Sequence, residues 1–222
     1  MWNKLGGYRA LLLSFTALCL TAAMMGAKAQ GNGGMKIASI DQGKLFDEYK
    51  YTQEASKALQ KKGDDAQLML QTWAQNALLT EGDQKRLSDL AIENKAAGEG
   101  KLDAGKKSEM DKLTKQSNEY NNDFVALQGV QQPNPTQQMR LGVLTRAYSD
   151  TQARIDAQRK GISAEIEKQR NDNRDQIFKD MRASIAQVAK AKGFNLVVTT
   201  EVAFYCDSDI TDAVLANMNG KK

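Results

Sequence analysis

The chain contains no histidine, and among its 222 residues it has only two prolines, two cysteines and 6% aromatic side chains. Without histidine it lacks the commonest general base and the commonest protein ligand for transition metals. The scarcity of proline and aromatic residues argues against one large closed core and permits long helices. From these absences we predict no catalytic residue, no metal site and no enzymatic activity.

One stretch approaches the pattern of a phosphate-binding loop. Gly100 and Gly105 are followed by Lys106 and Lys107, but the pattern requires Ser or Thr in place of Lys107. A strand should also precede such a loop, whereas the polar residues before this one are typical of helix. We therefore interpret the stretch as a weakened part of a helical segment and predict no bound cofactor.

The first 29 residues have the composition of a secretory signal peptide. Lys4 and Arg9 precede or open an apolar stretch, and Ala27 and Ala29 occupy the two positions that a signal peptidase reads. The apolar stretch is shorter than the roughly 20 residues that span a bilayer. We predict cleavage after Ala29, export to the periplasm, and a flexible Gly-rich leader over residues 30–34.

The predicted mature chain is almost neutral. Three of the 31 basic residues precede its start, which leaves 28 basic against 27 acidic residues. This balance gives little general attraction for nucleic acid, so we predict no nucleic-acid partner. Arg154, Arg159 and Lys160 form a local group of cations, for which a weak contact with anionic lipid headgroups stays open.

A long helical pattern occupies residues 50–192. Its apolar residues recur at spacings of three, four and seven, which puts a narrow seam along each helix, as in a coiled coil. Breaks are predicted near residues 80–83, 98–105 and 132–136, where glycine, proline and capping residues interrupt the pattern. We expect an antiparallel helical arm, built from two long helices or shortened by an additional fold-back.

Two details of this arm can be predicted from single residues. Residues 80–83 are predicted to hold a helix stop and a new cap, and Thr136 can accept hydrogen bonds from the first N–H groups of the next helix. Residues 167–176 include no apolar side chain, so a helix there has nothing apolar to bury. We predict that this part of the arm is exposed and mobile.

The hydrophobic period changes at both ends of the chain. Residues 35–41 predict a strand and residues 42–49 a short helix. After Gly193, alternation over residues 194–198 and 202–206 predicts two strands, and residues 209–217 predict a terminal helix. The fold class is therefore α+β, with a small sheet body from residues 35–49 and 193–222 and a long helical arm between them.

Such a body has too few strands to be stable alone, so we expect several copies of the chain to complete it. The residues predicted to form the core of the body or of the contact between copies are Ile37, Ile40, Leu45, Phe46, Leu196, Val198, Val202, Phe204, Ile210, Val214 and Leu215.

The two ends resemble the Skp/OmpH-like family of periplasmic chaperones. The similarity lies in Lys36–Asp41 followed by Gly43–Phe46, and in the C-terminal segments Gly193–Val198, Val202–Tyr205 and Asp209–Leu215. It implies a jellyfish-like homotrimer in which three chains share a β-barrel body and the helical arms enclose a cavity. It also implies ATP-independent holding of unfolded outer-membrane or envelope proteins, which are the predicted partners together with further copies of the chain.

An arm that holds unfolded chains needs adaptable apolar side chains. The candidate client contacts, for each of which packing within the arm is the alternative, are Leu68, Met69, Trp73, Leu78, Leu79, Tyr120, Phe124 and Met139. The competing function is that of a structural coiled-coil protein of the envelope with one fixed, folded partner.

Overall fold

The structure is a computed structural model, and it describes residues 34–98, 101–203 and 205–220. The chain divides into two compact units, Met1–Met35 and Lys36–Lys222, and every helix and strand given below belongs to the second. The predicted signal peptide, Gly100 and Phe204 lie outside the described residues. Within the described ranges, no helix has the length and apolar character needed to cross a membrane.

The predicted α+β class is confirmed, since long antiparallel helices accompany a small sheet. Each predicted break of the arm coincides with a junction between helices. In chain order the elements are β1 (Ile37–Ile40), α1 (Gln42–Glu48), α2 (Lys50–Gln75), α3 (Glu81–Ala97), α4 (Ala104–Gln128), α5 (Pro135–Lys192), β2 (Leu196–Thr199) and α6 (Thr211–Gly220).

Strands β1 and β2 bring the two ends of the second unit together. They pair in parallel, with Ile37 opposite Leu196. On the other edge of β1, the Ser39 N–H donates to the Ser208 carbonyl (2.8 Å) and the Ile210 N–H donates to the Ser39 carbonyl (3.0 Å). β1 therefore lies at the centre of the body, between two C-terminal segments.

The second predicted C-terminal strand is not formed by the described residues of the segment 202–206. The N–H groups of Val202 and Ala203 both donate to the Thr199 carbonyl at 3.0 Å, so the chain turns as soon as β2 ends. Residues 208–210 then take the place beside β1. The prediction was wrong because alternating apolar residues are compatible with a strand but do not show which other strand its backbone would pair with.

Helices cover the sheet and form the core of the body. Leu45 of α1 and Val214 and Met218 of α6 are completely buried, and Ile177 and Met181 of α5 pack against the same cluster. Burial of an aliphatic side chain of this size contributes roughly 1.5–3 kcal/mol. The body thus depends on the last turns of the arm as well as on the chain ends.

The predicted body core is only partly enclosed. Ile40, Leu45, Ile210 and Val214 are buried, and Phe46, Val198 and Leu215 are half-buried. Ile37, Leu196 and Val202 are instead 42%, 38% and 60% exposed in one chain, so for them a contact between copies stays the prediction. Ile37 and Leu196 form the first pair of the ladder, where the helices do not cover the sheet, and Val197 and Phe194 pack against the core in their place.

Helices α2 and α5 form the shaft of the arm as an antiparallel pair. The Tyr51 hydroxyl donates to Asn173 (3.0 Å), and Lys62 forms an ion pair with Glu165 (2.6 Å). The 58 residues of α5 extend about 87 Å at about 1.5 Å per residue. Residues 167–176 belong to this uninterrupted helix and are mostly exposed, as predicted, although polar groups such as Asn173 contact α2.

Helices α3 and α4 provide the fold-back. Thr80 is the N-cap of α3, which confirms that prediction. α3 returns along α2, where the Trp73 indole donates to the Ser88 hydroxyl (3.2 Å). α4 runs antiparallel to α3, and two bonds from Arg86 to Glu109 (2.8 and 2.6 Å) join them and lower the pKa of the Glu109 carboxyl.

The turn that leads into α5 begins the helix with a proline at its first position. Asn134 accepts from the Gln137 N–H and the Gln137 side chain accepts from the Asn134 N–H, both at 2.9 Å, which is a capping box. Pro135 suits the first helical position because no N–H is needed there. Thr136 was therefore wrongly predicted as the cap, since the helix starts before it.

Tyr49 links the body to the shaft. Its side chain is 7% exposed and its hydroxyl donates to Asp180 (3.0 Å). Burial, followed by the hydrogen bond and the charge of Asp180, raises the pKa of Tyr49 to about 12. An unfolded tyrosine ionises near pH 10, so this contribution to stability is complete below about pH 10 and is lost as the pH rises towards about 12.

We expect Tyr49→Phe to cost about 1 kcal/mol at neutral pH, because the hydrogen bond is lost. Urea unfolding measured from about pH 8 to about pH 12 should show the wild type losing this advantage above about pH 10, so that the two curves converge. Tyr148→Phe, whose ring is 46% exposed, is the control and should follow the wild type. A constant difference between wild type and Tyr49→Phe at every pH would contradict the assignment.

Candidate functional site

Large exposed apolar side chains occur at two places among the described residues from Lys36 onward. The body surface consists of Ile37, Leu196, Val202 and Tyr205, and the arm-end surface consists of Val125, Met139, Val143 and Tyr148. Helix α2 and residues 151–192 of α5 have none of them. Single exposed apolar residues are normal in soluble proteins, but their concentration in two regions indicates contact surfaces.

The arm end, residues 120–150, is held together by its own small core. Leu78, Leu127 and Leu144 are 5%, 8% and 3% exposed and pack against one another. Phe124 stacks on Tyr148 with ring centroids 6.4 Å apart. Because one face of α5 is used by this core, the opposite face is left open to solvent.

The arm end has very little charge. Between residues 120 and 150 only four of 31 side chains are charged, namely Asp123, Arg140, Arg146 and Asp150. Arg140 donates to Asp123 (2.8 Å), and its guanidinium lies 5.4 Å from the centre of the Tyr120 ring. Residues 151–192 of the same arm contain 16 charged residues in 42 positions. The arm end thus presents apolar, amide and hydroxyl groups at the end of a highly charged shaft.

The structure separates the predicted client contacts into three groups. Met139 is 73% exposed, whereas Leu78 and Leu79 are 5% and 2% exposed. The two leucines lie at the turn between α2 and α3. Leu78 packs against α4 and α5 and Leu79 against α3 and α4, so both pack the arm and offer no surface. The half-buried members are Leu68, Met69, Trp73, Tyr120 and Phe124.

Three residues of the arm-end surface were not predicted. Val125, Val143 and Tyr148 are 67%, 56% and 46% exposed. Their spacing did not distinguish them from residues that pack the arm. The property of the sequence that points to them is the low density of charge around them. In a helical segment with few charged residues, the side that faces water includes apolar residues.

A buried group of hydrogen-bonded side chains, here called the polar node, joins the start of the fold-back to the shaft. The Gln84 side chain is completely buried and donates to the carbonyls of Asn76 and Leu79 (both 3.1 Å) and to the Thr151 hydroxyl (3.0 Å). Arg154 donates to the Gln84 carbonyl oxygen (2.7 Å). The node joins the turn between α2 and α3 to α5, because the single side chain of Gln84 bonds to groups of both.

The body surface lies beside an open sheet edge. β1 is paired on both sides, but β2 has no further strand beside it among the described residues. Ile37 and Leu196 are neighbours in the ladder next to this edge. Unpaired backbone groups next to exposed apolar side chains form a surface to which another strand can add.

The chain thus combines a body built from both ends of one unit with a long helical arm, and each part carries an exposed apolar surface. A family model described as "Outer membrane protein (OmpH-like)" matches residues 36–218. The chain therefore belongs to the OmpH-like family, which confirms the resemblance seen in its sequence. No curated protein and no solved structure gave a significant match. Membership supports a chaperone-type function in the periplasm in general terms.

Proposed function

We propose that the protein is an ATP-independent holdase that binds unfolded outer-membrane and other envelope proteins in a cavity between helical arms. The arm end carries this proposal, because it presents exposed apolar side chains in an almost uncharged region. Unfolded β-barrel chains expose apolar segments that aggregate in water. A neutral apolar surface can cover many such segments without selecting for their charge.

Weak contacts suit a holdase that works without nucleotide. Each exposed side chain of the arm end is a separate small contact, so a client can leave one contact at a time as its own folding buries the same apolar groups. Methionine adapts to partners of different shape, which makes Met139 well suited to this role. Release is then driven by the folding of the client.

We also propose that three copies share one body. The support is the open edge of β2 together with the exposed Ile37 and Leu196, since a two-stranded sheet is only marginally stable alone. Strands from neighbouring copies would satisfy the free backbone groups and cover both side chains. Three arms leaving one body would then place their ends around a common space.

Export and lipid contact complete the proposal. Residues 1–29 would be removed after Ala29 on passage to the periplasm. A weak contact with anionic lipid headgroups would rest mainly on Lys160, because Arg154 pairs with Glu81 (3.1 Å) and Arg159 with Asp156 (3.4 Å).

The competing function is that of a structural coiled-coil protein with a fixed, folded partner. Such a protein is expected to have a continuous apolar seam along its arm. In the shaft, α2 and α5 instead contact each other at several positions through polar side chains, among them Lys62 with Glu165 and Tyr51 with Asn173. This favours an arm that adapts to its client.

An aggregation assay tests the proposed function. A urea-unfolded outer-membrane β-barrel protein is diluted into buffer with or without the purified, exported protein, and light scattering is recorded. We expect suppression at stoichiometric amounts, with no effect of added ATP. Equal scattering in both samples would contradict the proposal, and saturable binding to a folded envelope protein alone would favour the competing function.

A further inference from the structure

We propose that the client contact of this chain is concentrated on the solvent-exposed face of α5 at the arm end, where Met139 and Val143 lie beside a shallow groove over Gly142. The occupant is an extended, uncharged apolar segment of an unfolded chain. This inference rests on the proposed holdase function and makes it specific, because it assigns the contact to one face of one helix.

The geometry of this face is set by helical spacing. Met139 and Val143 are one turn apart and therefore neighbours on the surface of α5, with 73% and 56% exposure. Apart from its chain neighbours and the adjacent backbone of α5, no heavy atom lies within 4 Å of the place where a side chain at Gly142 would begin, so the backbone is open there. The adjoining groove is lined by Gln138, Leu141, Gly142, Thr145, Arg146 and Ser149, with Asp150 at its end.

The chemistry of the groove fits a neutral extended chain. Leu141 supplies an apolar wall, and Gln138 and Thr145 offer amide and hydroxyl groups that can bond to the backbone of a bound segment. The charged residues that line it, Arg146 and Asp150, have opposite signs, so the groove has no net charge. A charged segment would lose hydration without gaining an attraction from opposite charges in the groove. An apolar segment would bury its side chains against Met139 and Val143.

The size of the surface argues against a second copy as the occupant. Stable association of two proteins buries about 800 Å² and about 20–30 residues on each side. The arm-end surface offers four large exposed apolar side chains, whereas the open edge of a sheet is available in the body. Contacts of this small size are suited to a client that must be released.

The double variant Met139→Gln, Val143→Thr tests the inference. Both changes nearly preserve shape and helix propensity, so the arm should fold as in the wild type. We expect binding of a urea-unfolded outer-membrane β-barrel protein to weaken about tenfold, because apolar contacts are replaced by polar groups that must lose water. The matched control is Ala157→Ser, Ala164→Ser, at two exposed positions of α5 on the shaft, which should bind like the wild type.

The outcomes separate this inference from the proposed function. If the wild type does not bind the unfolded probe, the holdase proposal fails. If the wild type binds and the double variant binds equally well, the holdase proposal survives and the assignment to this face is overturned. If the double variant has fewer copies than the wild type in native mass spectrometry, the face is a contact between copies, which also overturns the assignment.

Discussion

Gln84→Leu is expected to lower the free energy of unfolding by about 3–5 kcal/mol. Leucine keeps the approximate volume but has no amide, so the Asn76 and Leu79 carbonyls and the Thr151 hydroxyl lose a donor, and Arg154 loses an acceptor. A buried polar group left without a partner costs about 1–3 kcal/mol. Thr151 and Arg154 keep other bonds, to the Ala77 carbonyl and to Glu81, which limits the loss.

Urea unfolding followed by far-UV circular dichroism measures this effect, because nearly all of the signal comes from the helices. Gln67→Leu is the matched control, since Gln67 lies on the exposed side of α2 and its replacement should change stability by less than about 0.5 kcal/mol. A loss below about 1 kcal/mol in Gln84→Leu would mean that the node is not what joins the fold-back to the shaft.

Replacing Ile37 and Leu196 together by lysine is expected to abolish self-association. The two positions face each other in the ladder and are 42% and 38% exposed in one chain, so lysine is tolerated there. Beneath a neighbouring copy, however, two ammonium groups would be buried beside each other without a counter-charge. A cost of several kcal/mol for each buried charge raises the dissociation constant by more than about 1,000-fold.

Sedimentation velocity measures the copy number of this variant. Its matched control is Met139→Lys, Val143→Lys, which places the same charges on the arm end and should keep the copy number of the wild type. Helix content by circular dichroism should stay the same in both variants, because the helices pair within one chain. An unchanged copy number for the Ile37→Lys, Leu196→Lys protein would move the interface away from the body surface.

The arm could be predicted well because its information is local. A helical period sustained over many residues, with Gly82, Pro133 and Pro135 near its interruptions, gives both the helices and their junctions. A helix stop and a new cap were predicted within residues 80–83, and Thr80 is that cap. Thr136 was not the cap, because Asn134 and Gln137 bond to each other's backbone around Pro135, and that reciprocal pair was the better indicator.

The body was harder to predict because strand pairing is not local. Apolar residues alternate over 202–206 as in a strand. The chain turns after Thr199, however, and residues 208–210 lie beside β1 instead. Likewise, alternation around Leu196 did not show that Val197 would pack against the core. Which face is buried depends on the register with β1, about 160 residues earlier in the chain.

The candidate site was predicted only in part for a related reason. Met139, Leu78 and Leu79 all occur at helical spacings in the arm, yet only Met139 is exposed. The fold-back decides this difference, and the apolar pattern does not encode which side of a helix a later helix will cover. The low density of charged residues was the more useful property for finding the exposed apolar residues of the arm end, because a helical segment with few charges has fewer side chains that water solvates strongly.

The central claim is that copies of the chain complete a common body and that their arms then hold one unfolded polypeptide. Native mass spectrometry of the purified, exported protein, alone and after addition of the urea-unfolded β-barrel probe, measures both parts at once. The account predicts three copies without the probe and three copies with one probe molecule after its addition, with no nucleotide present. A single copy in both samples, or an assembly that takes up no probe, would contradict it.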